Sequence, residues 1–176
     1  MTKIGIISDT HIPEAGRTIP NQALKALRGV DVILHAGDMH IIEVLDWLEE
    51  IAPVYGARGN GDVYQSDWRP GVPDDPRVKD AHVLDLDGWI IGLTHGFPTP
   101  DLTPWLTLDS AMDRFFGRKV DIIVCGDTHV PRIRNHDGVI EVNPGSPTLP
   151  RNIAGLGTLA TLDLSSEFVT AEIIQL

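Results

Sequence analysis

The stretch Ser8-Asp9-Thr10-His11 carries a carboxylate and an imidazole two residues apart, directly after the apolar run Ile4-Gly5-Ile6-Ile7. A run of that composition reads as a buried strand. Ligands of open α/β sheets bind at the carboxyl ends of strands, and Asp and His are common ligands for a divalent cation at an oxygen- and nitrogen-lined site. Alone, the spacing also suits a capping Asp beside a surface His. The arrangement returns along the chain. Asp38 follows the strand-like run 30–35, Asn60 follows 53–57, His95 follows 89–93, and Asp127 with His129 follows 121–125. Taken singly, Asp38 and Asp127 after glycine are turn or cap residues, Asn60 a turn residue and His95 a core histidine. Five apolar strands each ending in a ligand type point instead to a dinuclear metal site with one bridging carboxylate, built from Asp9, His11, Asp38, Asn60, His95, Asp127 and His129.

The elements that must position these residues alternate in the first half. A short helix is expected over 21–28. An amphipathic one follows, with Ile41, Val44, Leu45, Leu48 and Ile51 on its apolar stripe. Strand, helix, strand, helix, strand is the pattern of a parallel sheet. Residues 65–76 form a polar, Pro-rich loop without a period. Strands over 78–86 and 89–93 flank the turn signal Asp87-Gly88. A further irregular loop covers 97–105. Leu108, Ala111, Met112, Phe115 and Phe116 mark a helix capped by Gly117. Strands over 132–135 and 139–142 flank Asp137-Gly138, and two more β-rich stretches cover 157–164 and 168–174. The expected fold is α/β: a parallel first half and an antiparallel second half in two mixed sheets, packed as a sandwich with helices outside. One domain over residues 1–176 suits the length.

Hydrophobic residues make up 42% and charged residues 22% of the chain, as in an ordinary globular protein. The net charge of −11 argues against long nucleic acid and anionic membrane as partners, so a polyanionic substrate needs a local positive centre such as a metal. The single cysteine, Cys125, sits in an apolar strand and is read as core. It suits a reducing compartment. The first strand starts near Lys3, which leaves no room for a leader, and no apolar run reaches membrane-spanning length, so a cytoplasmic location is expected.

The order D-x-H, G-D, G-N-x-D, H-G, G-x-x-H resembles the calcineurin-like metallophosphoesterases. The opening Ser8-Asp9-Thr10-His11-Ile12-Pro13 and the segment Asn143-Pro144-Gly145-Ser146 are similar to its small single-domain phosphodiesterase branch. The likeness runs from about residue 3 to 150. It implies that Asp9, His11, Asp38 and His129 hold a first metal, that Asp38 bridges, and that Asn60, His95 and Asp127 hold a second. It implies hydrolysis of a small phosphate ester by a water activated between two divalent cations. Mn²⁺ is favoured by the oxygen-rich, thiol-free ligand set, with Fe, Ni or Zn as further candidates. Asn60 and His95 would also serve catalysis. A relative with the same fold and eroded ligands serves as a protein-binding subunit of a eukaryotic sorting coat, so a non-catalytic metal-binding scaffold is the competing reading.

Three positions depart from the family pattern. The family usually reads G-H-x-H where this chain reads Gly126-Asp127-Thr128-His129. With two divalent cations, three Asp ligands and a hydroxide the site is neutral, whereas the usual set leaves one positive charge. A unit charge about 4 Å from a phosphate is worth up to about 4 kcal/mol at an effective dielectric near 20. Many members carry a histidine after the motif asparagine to protonate the leaving group, but here it is Gly61, with His40 as a candidate substitute. H-G-H is replaced by His95-Gly96-Phe97. Arg58, Arg17, Phe97 and Ser146 are candidates for contact with substrate, and Arg151 has the same ambiguity as Arg17. His35 reads as structural, and His82 and His136 as surface residues. Exposed sheet edges make a homodimer plausible.

Overall fold

The computed structural model describes residues 1–98, 103, 105–149 and 156–176. Strand β1 (Thr2–Ile7) lies at the centre of a six-stranded sheet. On one side it pairs in parallel with β2 (Val32–His35), which is followed by β3 (Val54–Ala57) and the two-residue β4 (Val78–Lys79), all parallel. On the other side it pairs antiparallel with β10 (Thr158–Leu164), which pairs antiparallel with β11 (Val169–Gln175) at the edge. The second sheet has the order β5 (Ala81–Leu86), β6 (Trp89–Thr94), β7 (Ile122–Val124), β9 (Val139–Asn143), β8 (Arg132–His136).

The central strands are apolar on both faces because both faces are covered. Between the sheets Ile4, Ile6 and Leu34 meet Ile91, Leu93, Ile122, Val124 and Leu162 in one buried cluster. The alternate residues Ile7 and Ile33 turn outward. There they meet Ala23 of helix α1 (Asn21–Ala26) and Val44, Leu45 and Leu48 of α2 (Glu43–Glu49). On the outer face of the second sheet Ile123 and Cys125 pack on Ala111 and Met112 of α3 (Leu108–Phe116). The layering is helix, sheet, sheet, helix, as the alternation of apolar residues leads one to expect. Helix α3 ends at the Gly117 cap expected of it, left-handed at φ 69°, and at its start the Thr107 side chain accepts from Ser110 N at 3.2 Å. No helix among the described residues is long and apolar enough to cross a membrane.

The division into a parallel and an antiparallel half does not hold. β10 and β11 return to the first sheet, and the second sheet contains the parallel pairs β6–β7 and β7–β9. α3 is the crossover that makes β6 and β7 parallel. Nor is 78–86 one strand. The chain breaks at Asp80, leaving β4 in the first sheet and β5 in the second. That passage carries His82 inward: it is buried, with Nε2 2.9 Å from Gly56 O and its ring 5.5 Å from that of Tyr55, so it is not a surface residue. His136 is also engaged, Nε2 lying 2.6 Å from the buried carboxylate of Glu141, which Arg132 Nε pairs at 2.9 Å. Helix α2 starts two residues later than its apolar stripe because Ile41 bridges to Gly71.

Leu162 is fully buried between the sheets. Leu162→Ala should lower stability by about 2–5 kcal/mol, read from the urea midpoint at unchanged slope.

Candidate metal centre

The carboxyl ends of β1, β2 and β3 in one sheet and of β6 and β7 in the other open onto a common edge. Asp9 and His11 follow β1, Asp38 follows β2, Asn60 opens the 3₁₀ turn Asn60–Asp62 after β3, His95 follows β6, and Asp127 and His129 follow β7. The turn after β1 is tied to the turn after β2 by backbone bonds from Asp9 N to Gly37 O (2.9 Å), His11 N to Asp38 O (3.0 Å) and Ile12 N to Met39 O (3.2 Å). The two sheets are joined by Asp127 N donating to Asp9 Oδ2 at 3.1 Å.

Asp9, His11, Asp38, His40, Asp127 and His129 all have positive φ, between 47° and 73°. Among the described residues, the other non-glycine residues in that region are Asp87 and Asp137, in their Asp-Gly hairpin turns. Left-handed backbone at side-chain-bearing residues is unfavourable and persists where surrounding bonds over-determine it. Asp62 supplies such bonds: its buried carboxylate accepts from Gly59 N (2.7 Å), His40 N (2.8 Å) and Asp38 N (3.1 Å). Burial pushes its pKa up. Ser146 Oγ donates to Asp9 O at 2.8 Å and accepts from Leu149 N at 2.9 Å. It is a buried brace for the Asp9 turn, not a group facing substrate. His35 has the structural place expected of it: Nδ1 accepts from Gly37 N at 3.2 Å, Nε2 reaches Thr10 Oγ1 at 3.2 Å, and burial pushes its pKa down to about 3.

The side chains converge. Asp9 Oδ1 lies 3.4 Å from His129 Nε2 and 3.9 Å from His11 Nε2, and Asp38 Oδ2 lies 3.4 Å from His11 Nε2. His95 Nε2 is 3.2 Å from Asn60 Oδ1, 3.4 Å from Asp38 Oδ1 and 3.6 Å from Asp127 Oδ1. Asp38 therefore stands between two clusters, one carboxylate oxygen toward each. The nearby Ala36 O accepts a hydrogen bond from His95 Nδ1 at 2.7 Å. Nε2 then faces three oxygens, those of Asn60, Asp38 and Asp127. Asp9 Oδ1 and His11 Nε2 are buried and have no hydrogen-bond partner. Bound cations would offer these atoms a partner, and the carbonyl behind His95 is the kind of second partner that metal-bound histidines use. The donor atoms of Asp9, His11 and His129, and of Asp9, Asp38 and His95, lie within 4.8 Å of one another in each group. Asp127 is at the rim, with its side chain 55% exposed.

Other candidates are elsewhere. Arg58 directs its guanidinium to Val72 O and Pro73 O along the 65–76 loop, away from the cluster. Phe97 is core, stacked on Phe116 with centroids 5.8 Å apart. Arg17 is exposed, and Arg151 and part of the 97–105 loop lie outside the described residues. His40 is fully buried against His11, ring centroids 4.3 Å apart. Its Nε2 is 3.1 Å from Arg69 Nη2 and its Nδ1 3.1 Å from Glu14 Oε2. Arg only donates, so Nε2 accepts and has no proton for a leaving group. Burial, His11 and Arg69 push its pKa down to about 4. Neither Glu14 nor Arg69 carries a sequence signal, since both lie in aperiodic loops. Asp62 was visible only as the last letter of G-N-x-D.

Burial acts to raise Asp9, but the facing imidazoles of His11 and His129 and the short contact from Ser8 Oγ hold it well below the usual carboxylate range. The same Asp9 contact raises His129 above its ordinary 6.5. A metal bound at His129 would have to displace that proton. Below the raised His129 pKa, divalent-cation affinity should therefore climb about tenfold per pH unit, with proton release visible by calorimetry in buffers of different ionisation heat.

Residues 2–167 match the calcineurin-like phosphoesterase superfamily domain. The chain is 35% identical over 174 residues to a probable metallophosphoesterase of Methanothermobacter thermautotrophicus, covering 98% of this chain and 91% of that one. It is 25% identical over 167 residues to a phosphodiesterase of Methanocaldococcus jannaschii, covering 92% of each. The fold is shared with wild-type Vps29 of Entamoeba histolytica complexed with zinc, at a TM-score of 0.67 and 21% identity over 98% of both chains. A domain match over nearly the whole chain, on top of strand ends that bring the motif residues to one edge, makes this protein a member of the calcineurin-like phosphoesterase superfamily, hydrolases of phosphoester bonds.

Proposed function

We propose that the chain is a metal-dependent phosphodiesterase acting on a small phosphate ester through a dinuclear centre. The observation that carries the reading is the convergence of His95 Nε2 with Asn60, Asp38 and Asp127 oxygens, beside the buried Asp9 Oδ1 and His11 Nε2. Asp9, His11, Asp38 and His129 form one ligand group, and Asp38, Asn60, His95 and Asp127 the other. Two divalent cations there would acidify a shared water and neutralise phosphoryl oxygens, and the oxygen-rich set suits Mn²⁺. Asp38 spans the groups, its position held by Gly61 N donating to Oδ1 at 2.6 Å. His95 is oriented by Ala36 O, and Asp9 by Ser8, Asp127 N and the Ser146 brace on its carbonyl. The net charge of −11 favours a small substrate over a long nucleic acid, and the buried thiol of Cys125 suits the cytoplasm.

The name of the M. jannaschii relative supports diester hydrolysis. The likeness to Vps29 supports the competing reading, a metal-binding scaffold for a protein partner. Metal-stripped protein refilled with Mn²⁺ should hydrolyse bis-p-nitrophenyl phosphate, and Asp38→Ala should reduce the rate at least about 100-fold. Stoichiometric metal uptake with no turnover on diesters or monoesters would favour the scaffold.

Asp127 brings a negative charge where the family has a neutral ring. Its half-exposed side chain is screened by solvent, so the full Coulomb figure does not apply. Asp127→His should raise kcat/KM about three- to tenfold and move the pH optimum down. An unchanged rate and optimum would remove the charge argument.

A further inference from the structure

Two loops that follow different strands meet beside the ligand cluster. After β1, Ala15 N donates to His11 O at 2.7 Å and closes a turn that carries Glu14. After β3, Gln65 N and Ser66 N both donate to Arg69 O, at 3.1 and 3.2 Å, and Arg69 N donates to Ser66 O at 3.0 Å. Val72 N donating to Asp62 O at 2.8 Å ties this second turn to the 3₁₀ turn that carries Asn60. Arg69 Nη1 donates to Glu14 Oε1 at 2.8 Å, so an ion pair joins the two turns across 55 residues of sequence. With its side chain 16% exposed, Arg69 is screened less by solvent than a surface partner would be.

What this pair encloses is His40. The residue is fully buried, Arg69 Nη2 donates to its Nε2 at 3.1 Å, and its Nδ1 faces Glu14 Oε2 at 3.1 Å. Its backbone is left-handed at φ 73° and is fastened by its N–H to Asp62 Oδ1 at 2.8 Å. The ring lies over Gly61, where a Cβ would come within 2.5 Å of Nε2, so a side chain at that position would displace it.

The ring in turn touches a candidate metal ligand. The imidazoles of His40 and His11 lie edge to face, with centroids 4.3 Å apart and planes at 67°. His11 has a second ring neighbour in His129, at 4.9 Å, and its Nε2 is 3.4 Å from Asp38 Oδ2 and 3.9 Å from Asp9 Oδ1. Packing of rings in this geometry restricts their tilt, and the tilt of His11 decides where its Nε2 lone pair points. Building on the dinuclear centre proposed above, we propose that Glu14, Arg69 and His40 are a positioning set for His11. Glu14 and Arg69 hold the His40 ring across the two loops, and that ring aims the imidazole of His11 at the cation. The contact does for His11 what the carbonyl of Ala36 does for His95.

The test is a double-mutant cycle on Mn²⁺ binding to metal-stripped protein, measured by calorimetry. Wild type should take up two ions. Arg69→Gln and His40→Ala should each weaken one ion about 10- to 100-fold and leave the other within about threefold. Because Arg69 acts through the ring, the double variant should bind no more weakly than His40→Ala alone. Glu14 is 37% exposed, so Glu14→Gln disturbs the fold least, and it should weaken the same ion about three- to tenfold. At saturating Mn²⁺, turnover of bis-p-nitrophenyl phosphate and of diphenyl phosphate, which has the poorer leaving group, should fall by the same factor in each variant. Additive effects of Arg69→Gln and His40→Ala, or unchanged Mn²⁺ affinity in all the variants, would overturn the proposal, and wild-type turnover would leave the phosphodiesterase reading standing. A loss in His40→Ala confined to diphenyl phosphate would also overturn it, since His40 would then be a proton donor. Two-ion uptake with the expected cycle but no turnover would sustain the proposal and remove the phosphodiesterase reading. No Mn²⁺ uptake by wild type would overturn both.

Discussion

Two buried carboxylates, Asp9 and Asp38, stand among imidazoles at the meeting edge of two sheets, and the site around them is organised by their need for positive charge. Burying an ionised carboxylate without a partner is strongly unfavourable. Here each carboxylate has one oxygen satisfied by the protein: Ser8 Oγ and Asp127 N bind Asp9 Oδ2, and Gly61 N binds Asp38 Oδ1. The atoms left over, Asp9 Oδ1 and Asp38 Oδ2, are turned toward the Nε2 atoms of His11 and His129. The protein thus orients its donors before any cation arrives, which lowers the reorganisation needed on binding.

Holding those donors demands unfavourable backbone. Ligand candidates on three strand ends are left-handed, and so is His40. The opposing stabilisation is distributed. Asp62 takes three backbone N–H groups from two different turns, Ser146 fastens Asp9 O, and the interior cluster between the sheets fixes the strands themselves. Asp62 and Ser146 touch no candidate ligand atom. Their effect on the site passes through the backbone that they restrain.

The departures from the family pattern are connected in space. The missing side chain at Gly61 leaves room that the His40 ring fills, and that ring is pinned by Glu14 and Arg69. One side of the centre therefore has an arginine and an acceptor histidine. At the opposite rim, Asp127 has a carboxylate. Both changes alter charge without altering the strands that deliver them.

The ligand candidates were legible in the sequence because each follows an apolar run, and a strand's carboxyl end is a position that hydrophobic pattern marks. Fold class and helix α3 were legible for the same reason, with Gly117 as a local capping signal. Sheet membership was not. Period-two alternation says that residues 78–86 are extended, but not that Asp80 divides them between two sheets, nor that β10 and β11 return to β1. Those are long-range pairings, decided by which apolar faces can be covered together. The orientation of polar side chains in aperiodic loops was equally hidden. Arg58 and Arg69 look alike in sequence, yet one binds Val72 O and Pro73 O and the other binds Glu14, His40 and Gly61 O. The amino-acid order by itself determined which residues could bind a cation. Only tertiary packing decided which of their atoms face one another and which arginine stood beside them, since both depend on partners far apart in the chain.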